Sequence, residues 1–177
     1  MPPLPTIRLA TLADLPLLHQ LWNGLCIEQD AWRTAEDTLS WTQDTATRLE
    51  RQATGDPDVY CRLAEDAVSG SPLGFLAGWV EVRRIGHPHR YWMADHLYVV
   101  PAARGRGVGA ALIRDGMTHA AKCGMDTLEC VALATDPQWA ARGWTPTLTR
   151  YRATLDAMQA HYEARGLPRL PLGSSKE

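Results

Sequence analysis

The sequence has no CxxC pair: its four cysteines, Cys26, Cys61, Cys123 and Cys130, lie far apart along 177 residues. That spacing excludes a disulfide framework and a zinc knuckle, and it predicts a reducing compartment. No apolar run approaches the roughly 20 residues that a membrane helix requires. The opening stretch MPPLPTIRLA has no basic segment leading into an apolar one, so no signal peptide is expected and the cytoplasm is the expected location. Net charge is only −2, which gives no reason to expect nucleic acid or an anionic membrane as a partner. No Gly-Lys pair occurs anywhere, which excludes a triphosphate loop of the GxxxxGK[ST] kind. Phenylalanine is nearly missing, one residue against seven Trp and five Tyr. The aromatic content therefore carries polar handles, suited to lining a pocket as well as to filling a core.

What is present is the make-up of a globular chain, 45% hydrophobic and 21% charged. Its length predicts one domain over residues 6–165, between a flexible start at 1–5 and a loosely held tail at 166–177. TIRLA reads as a short strand. Asp14 is expected to cap a helix in which Leu18, Leu21, Trp22 and Leu25 recur on one face. TAED, Thr34 to Asp37, reads as a capping box opening a second helix that runs to about Thr54. After TGDPD the period changes to two. Val59, Cys61 and Leu63 alternate with Tyr60, Arg62 and Ala64; then come LGFLAGWVEVRR and RYWMADHLYVV, a three-strand antiparallel meander. A helix is expected from about Val108 to Lys122, with Gly124 at its end. DTLECVAL should return parallel to LYVV by a right-handed crossover. A short helical piece near Pro137 to Arg142, a strand in GWTPTLTRYRATL and a last helix from Leu155 to Arg165 complete the order. The fold class is α/β (α+β): one mixed, mostly antiparallel sheet with helices on both faces.

Between the meander and the helix lies DHLYVVPAARGRGVGAALI, with Gly105, Gly107 and Gly109 alternating with other residues beside Arg104 and Arg106. Glycines let the backbone approach a ligand closely, and a helix N-terminus presents free N–H groups, so this segment is suited to a phosphate. A dinucleotide is one candidate, since GRGVGA satisfies GxGxxA and Asp126 lies about 20 residues on. Against it stand PAAR, which separates the glycines from the strand, and the antiparallel meander before it. That reading would make the chain an oxidoreductase.

LYVVPAARGRGVGAALI resembles the acyl-CoA-binding signature of the GNAT superfamily of N-acyltransferases, a V-x-P corner followed by [RQ]-x-x-G-x-[GA]. Arg104, Gly107 and Gly109 fill its positions, and Gly105 stands at a common extra glycine. The order of elements over roughly residues 6 to 156 is also similar. The resemblance implies an acetyl-CoA-dependent N-acetyltransferase with no metal, acting on a primary amine of a small molecule or peptide by direct transfer. The acyl group, acetyl or larger, stays open. It implies that the diphosphate of CoA lies on Arg104, Gly105, Arg106, Gly107, Val108 and Gly109. The pantetheine arm would run along Leu97, Tyr98 and Val99 where two parallel strands splay apart, with the Val99 N–H facing the thioester oxygen.

An amine must be neutral to attack, so a general base is needed. Relatives often carry an acidic residue on the strand before the glycine turn. Asp95 is the first choice here, His96 the second and Glu81 the third. Asp95 and His96 alternate along the strand, so only one faces the cleft unless a bulge reorients it. A tyrosine that protonates the departing thiolate in many relatives is replaced by Trp139, and a common Asn by Ala132. The acceptor pocket is expected around IEQDAWRT, where Glu28, Asp30 and Trp32 suit a cationic amine. His87 and His89 with His96 suggest a metal site only weakly, having no nearby Cys or acidic partner. The alternative to an enzyme is a CoA-binding regulatory module of the same fold. Dimerisation stays open, with TPTLTRYRATL available as an edge.

Overall fold

The computed structural model describes residues 4–28, 35–83, 89–125 and 128–130. Five strands form one sheet in the order β1 (Thr6–Leu9), β2 (Val59–Glu65), β3 (Pro72–Arg83), β4 (His89–Val99) and β5 (Leu128–Cys130). The first four pair antiparallel and β5 lies parallel to β4. Helices α1 (Leu15–Glu28) and α2 (Ala35–Ala53) follow β1, and α3 (Val108–Lys122) joins β4 to β5. This is the mixed α+β arrangement expected from the sequence. The expectations for residues 131–177, including Trp139 and Ala132, lie outside the described residues, as do Asp30, Trp32, Thr34, His87 and Asp126.

The sheet separates two cores. Leu18, Leu21, Trp22 and Leu25 of α1 are buried with Leu49 of α2 against Cys61, Leu63, Phe75 and Tyr98. On the other face Val108, Leu112 and Ala120 of α3 meet Tyr60, Ala64, Leu76 and Trp92. The alternation read in β2 therefore has both of its faces covered, and only Arg62 and Glu65 within it are less than buried. α3 ends as its sequence demands. Gly124 takes φ +72, its N–H donates to the Ala121 carbonyl at 3.0 Å, and the Met125 N–H reaches back to Ala120 at 2.9 Å. These are the two bonds of a Schellman ending.

Asp14 is not the cap of α1. A 3-10 turn, Leu12–Asp14, precedes that helix, and Thr11 stands at its N-terminus. The Asp14 carboxylate accepts the Thr11 N–H at 2.8 Å and its hydroxyl at 2.9 Å, so Asp14 closes the turn from its far end. Arg8 on β1 decides the matter, because its guanidinium grips the same carboxylate in a two-pronged pair at 2.7 and 2.8 Å.

The feature of β4 that positions the site is a bulge. Ala77 pairs with His96, and the next residue of β3, Gly78, pairs with Ala94. Asp95 has no opposite residue on β3. Trp92 and Ala94 before it, and Leu97 and Val99 after it, all pack on the α3 side. Strict alternation forbids that for residues 94 and 97; one extra residue permits it.

Candidate active site

The bulge turns Asp95 and His96 to the same side. Asp95 Oδ2 lies 2.7 Å from His96 Nδ1, and both side chains are about one-quarter exposed. His96 meets Trp41 of α2 edge-on, at 6.3 Å between ring centres. Trp41 stacks on Trp22 of α1 at 4.6 Å and 13°, and His19 lies 6.2 Å from each indole. His96 thus adjoins a cluster of three rings from two helices, with Trp41 against it and Trp22 and His19 packed on Trp41. Sequence spacing marks Trp22 as a core residue of α1 but carries no signal that Trp41 lies against it, because the angle between two helices is not written in either one.

Glu81 belongs elsewhere. Its carboxylate accepts Trp79 Nε1 at 3.1 Å and the Tyr91 hydroxyl at 3.0 Å, and Arg48 lies 3.9 Å over the Trp79 ring. Those contacts occupy both of its oxygens in a structural network on the outer part of β3 and β4, several residues from the bulge.

The glycine turn follows β4 through a 3-10 turn at Pro101–Ala103. Gly105 and Gly107 adopt φ +73 and +81, where a side chain is strained, yet a Cβ at either would meet nothing within 4 Å. Backbone conformation, not crowding, therefore calls for glycine there. Gly107 stands at the N-terminus of α3, where no side chain caps it among the described residues. Val108 is itself core, 2% exposed, so only its backbone faces the turn. A groove of about 420 Å³ touches the turn at Gly107 and runs along α3 past Arg114 and Asp115 toward the start of β1. Bare N–H groups, left-handed glycines and open space beside them fit an anionic ligand such as a diphosphate.

The two arginines are both engaged. Arg106 reaches Asp66 at 3.2 Å. Arg104 donates from Nε to the Val99 carbonyl at 3.0 Å and pairs with Glu28, the last residue of α1. Tyr98 donates its hydroxyl to the other oxygen of Glu28 at 3.3 Å, and burial followed by the Glu28 charge pushes the Tyr98 hydroxyl above its ordinary range. Glu28, Tyr98 and Arg104 are thus one cluster, joining a residue expected at the acceptor pocket to two expected along the cofactor. Leu97 and Val99 direct their side chains to the α3 core, and Tyr98 directs its own to α1. Pairing with β5 runs from Trp92↔Leu128 to Ala94↔Cys130, and residues beyond Cys130 are outside the described ones.

The sequence pattern of the acetyltransferase (GNAT) family matches residues 25–142. No curated protein matches the chain. Among solved structures, the chain is similar to a predicted acetyltransferase with acetyl-CoA from Clostridium acetobutylicum, at TM-score 0.72 and 15% identity over 85% of this chain and 96% of that one. It is similar to a GCN5-related N-acetyltransferase from Ralstonia eutropha at TM-score 0.64 and 23% identity, over 85% and 98% of the two chains. A glucosamine-6-phosphate N-acetyltransferase from Arabidopsis thaliana shares the fold at TM-score 0.63 and 14% identity, over 85% and 97%. At such identities the structural likeness concerns the fold alone.

Proposed function

This chain belongs to the acetyltransferase (GNAT) family, whose members draw the acetyl group from acetyl-CoA, and from that premise we propose that it acetylates a primary amine with His96 as proton acceptor. The observation that carries this reading is the bulge at Asp95, beside which a carboxylate and an imidazole lie in contact next to Trp41.

The roles divide by ring nitrogen. A carboxylate only accepts hydrogen bonds, so with Asp95 Oδ2 2.7 Å from Nδ1 this reading keeps the ring proton of His96 on Nδ1, facing the carboxylate. Nε2 then carries the lone pair and is the atom free to take a proton. Asp95, the first choice as base from sequence, becomes the group that fixes the tautomer and orientation of His96. It also stabilises the imidazolium that forms. In the transfer the amine nitrogen bonds to the acetyl carbon, the carbon–sulfur bond breaks, CoA leaves as its thiolate, and the proton shed by nitrogen goes to Nε2. The backbone of Leu97, Tyr98 and Val99 would align the pantetheine arm as an added strand, and residues 104–109 would hold the diphosphate. Glu28 would draw the cationic acceptor toward the site, with Asp30 and Trp32 as further candidates.

The test is release of thiol from acetyl-CoA across a panel of amines. Release that depends on the amine is the expected result. CoA binding with no release across the panel would favour a regulatory module, and binding of NAD in place of CoA would favour an oxidoreductase. His96→Ala is expected to lower kcat by about 10²- to 10⁴-fold while leaving CoA affinity unchanged. Asp95→Ala should lower it less, because Nε2 remains in place and only the bias toward one tautomer is lost.

A further inference from the structure

One ion pair ties the glycine turn to α1, and the reaction proposed above has no use for it. Arg104 is committed to this chain's own groups: Nε to the Val99 carbonyl and a terminal nitrogen to Glu28. Two choices in α1 are locally unfavourable and point to the same purpose. Glu28 sits in the last turn of α1, which contains no basic residue, so its charge opposes the negative end of the helix dipole. Gly24, one turn earlier, weakens the helix by about 1 kcal/mol relative to alanine. A Cβ at Gly24 would lie 2.6 Å from the Tyr98 hydroxyl, the group that donates to Glu28. Both choices become intelligible if the Tyr98–Glu28–Arg104 cluster has to form.

We infer that Glu28 is a built-in competitor for the anion site of the glycine turn, holding Arg104 until the diphosphate of acetyl-CoA displaces it. The inference rests on the reading that places this diphosphate on residues 104–109. Arg104 sits beside Val99, on the path proposed for the pantetheine arm, and its guanidinium already has a carboxylate partner. An incoming diphosphate must therefore exchange with Glu28 or be repelled by it. Tyr98 steadies the carboxylate from the other side. The exchange leaves Glu28 without its cation at the end of α1, so a positively charged acceptor is attracted more strongly once acetyl-CoA is in place. By linkage, whatever weakens the Glu28–Arg104 pair strengthens binding of CoA.

Calorimetric titration of the full chain with CoA tests this without turnover. Glu28→Gln keeps the size and the hydrogen-bonding capacity of an exposed side chain and removes its charge. It is expected to bind CoA roughly three- to tenfold more tightly than wild type, the range of a half-exposed ion pair together with lost repulsion. Tyr98→Phe, which loosens Glu28 without touching Arg104, should shift affinity in the same direction by less. In an Arg104→Gln background the gain from Glu28→Gln should shrink to the part owed to repulsion alone, about twofold or less. Equal or weaker binding by Glu28→Gln, or a gain undiminished by loss of Arg104, overturns the inference while the acetyltransferase reading stands. No CoA heat from wild type or any variant overturns both.

Discussion

Asp14 shows how much one side chain can organise. Its carboxylate accepts two bonds from Arg8 and two from Thr11, joining β1 to the turn that starts α1, while Arg8 reaches on to Glu65 of β2 at 2.8 Å. The hydrogen bonds from Arg8, opposed by partial burial and helped by Thr11, hold the Asp14 carboxyl down at about 2 against an ordinary 3.8. A lowered folded-state value means stability that is complete above 3.8 and is lost as pH falls through about 2. Asp14→Asn should therefore destabilise the fold by about 1–3 kcal/mol near neutrality. Urea unfolding should show the gap between variant and wild type narrowing as pH drops below 3.8. A gap that stays constant into acid would show that Asp14 acts by shape and not by charge. Sequence pattern marks Asp14 as a helix-start residue and nothing more, because Arg8 becomes its partner only when β1 has docked.

Among the elements, α3 is the most legible. Its expected span and its observed span agree, since it carries its own stop signal at Gly124 and its own apolar stripe. Two of its glycines have different reasons for being there. A Cβ at Gly116 would lie 2.9 Å from the Trp92 ring and 3.2 Å from Leu76, both fully buried. Gly116→Val should thus cost about 2 kcal/mol or more by wedging α3 off the sheet. At Gly107 a side chain meets only a backbone penalty of about 1–2 kcal/mol. Gly107→Ala should therefore lose acetyl-CoA binding out of proportion to its effect on stability. Parallel melts and CoA titrations of the two variants distinguish packing glycine from ligand glycine. If Gly107→Ala binds acetyl-CoA as wild type does, the diphosphate does not lie on that turn. The bulge in β4 is the opposite case of legibility. Asp95 and His96 are named by their place before the glycine turn, yet their relation depends on how β3 and β4 register, and that belongs to the pair of strands.

For the molecule as a whole, the proposed site rests on a sheet with packed helices on both faces, so acetyl-CoA would add to a scaffold that is already folded. Binding to the folded state alone stabilises by mass action, about 2.7 kcal/mol when free ligand is 100 times its Kd. Acetyl-CoA should accordingly raise the melting temperature in a concentration-dependent way, and NAD should leave it unchanged. The reverse result would return the glycine turn to a dinucleotide.

Local chemistry in the sequence sufficed for the order of the described strands and helices and for the glycine turn and its family. Those properties depend on neighbours a few positions apart, through periodicity, capping and backbone freedom. Tertiary structure alone decided that His96 meets Asp95 through Nδ1, that Trp41 covers Trp22, and that Arg104 is held by Glu28. Each of these joins side chains brought together by register or docking, and such distances are set by the packing of whole elements, not by any spacing along the chain.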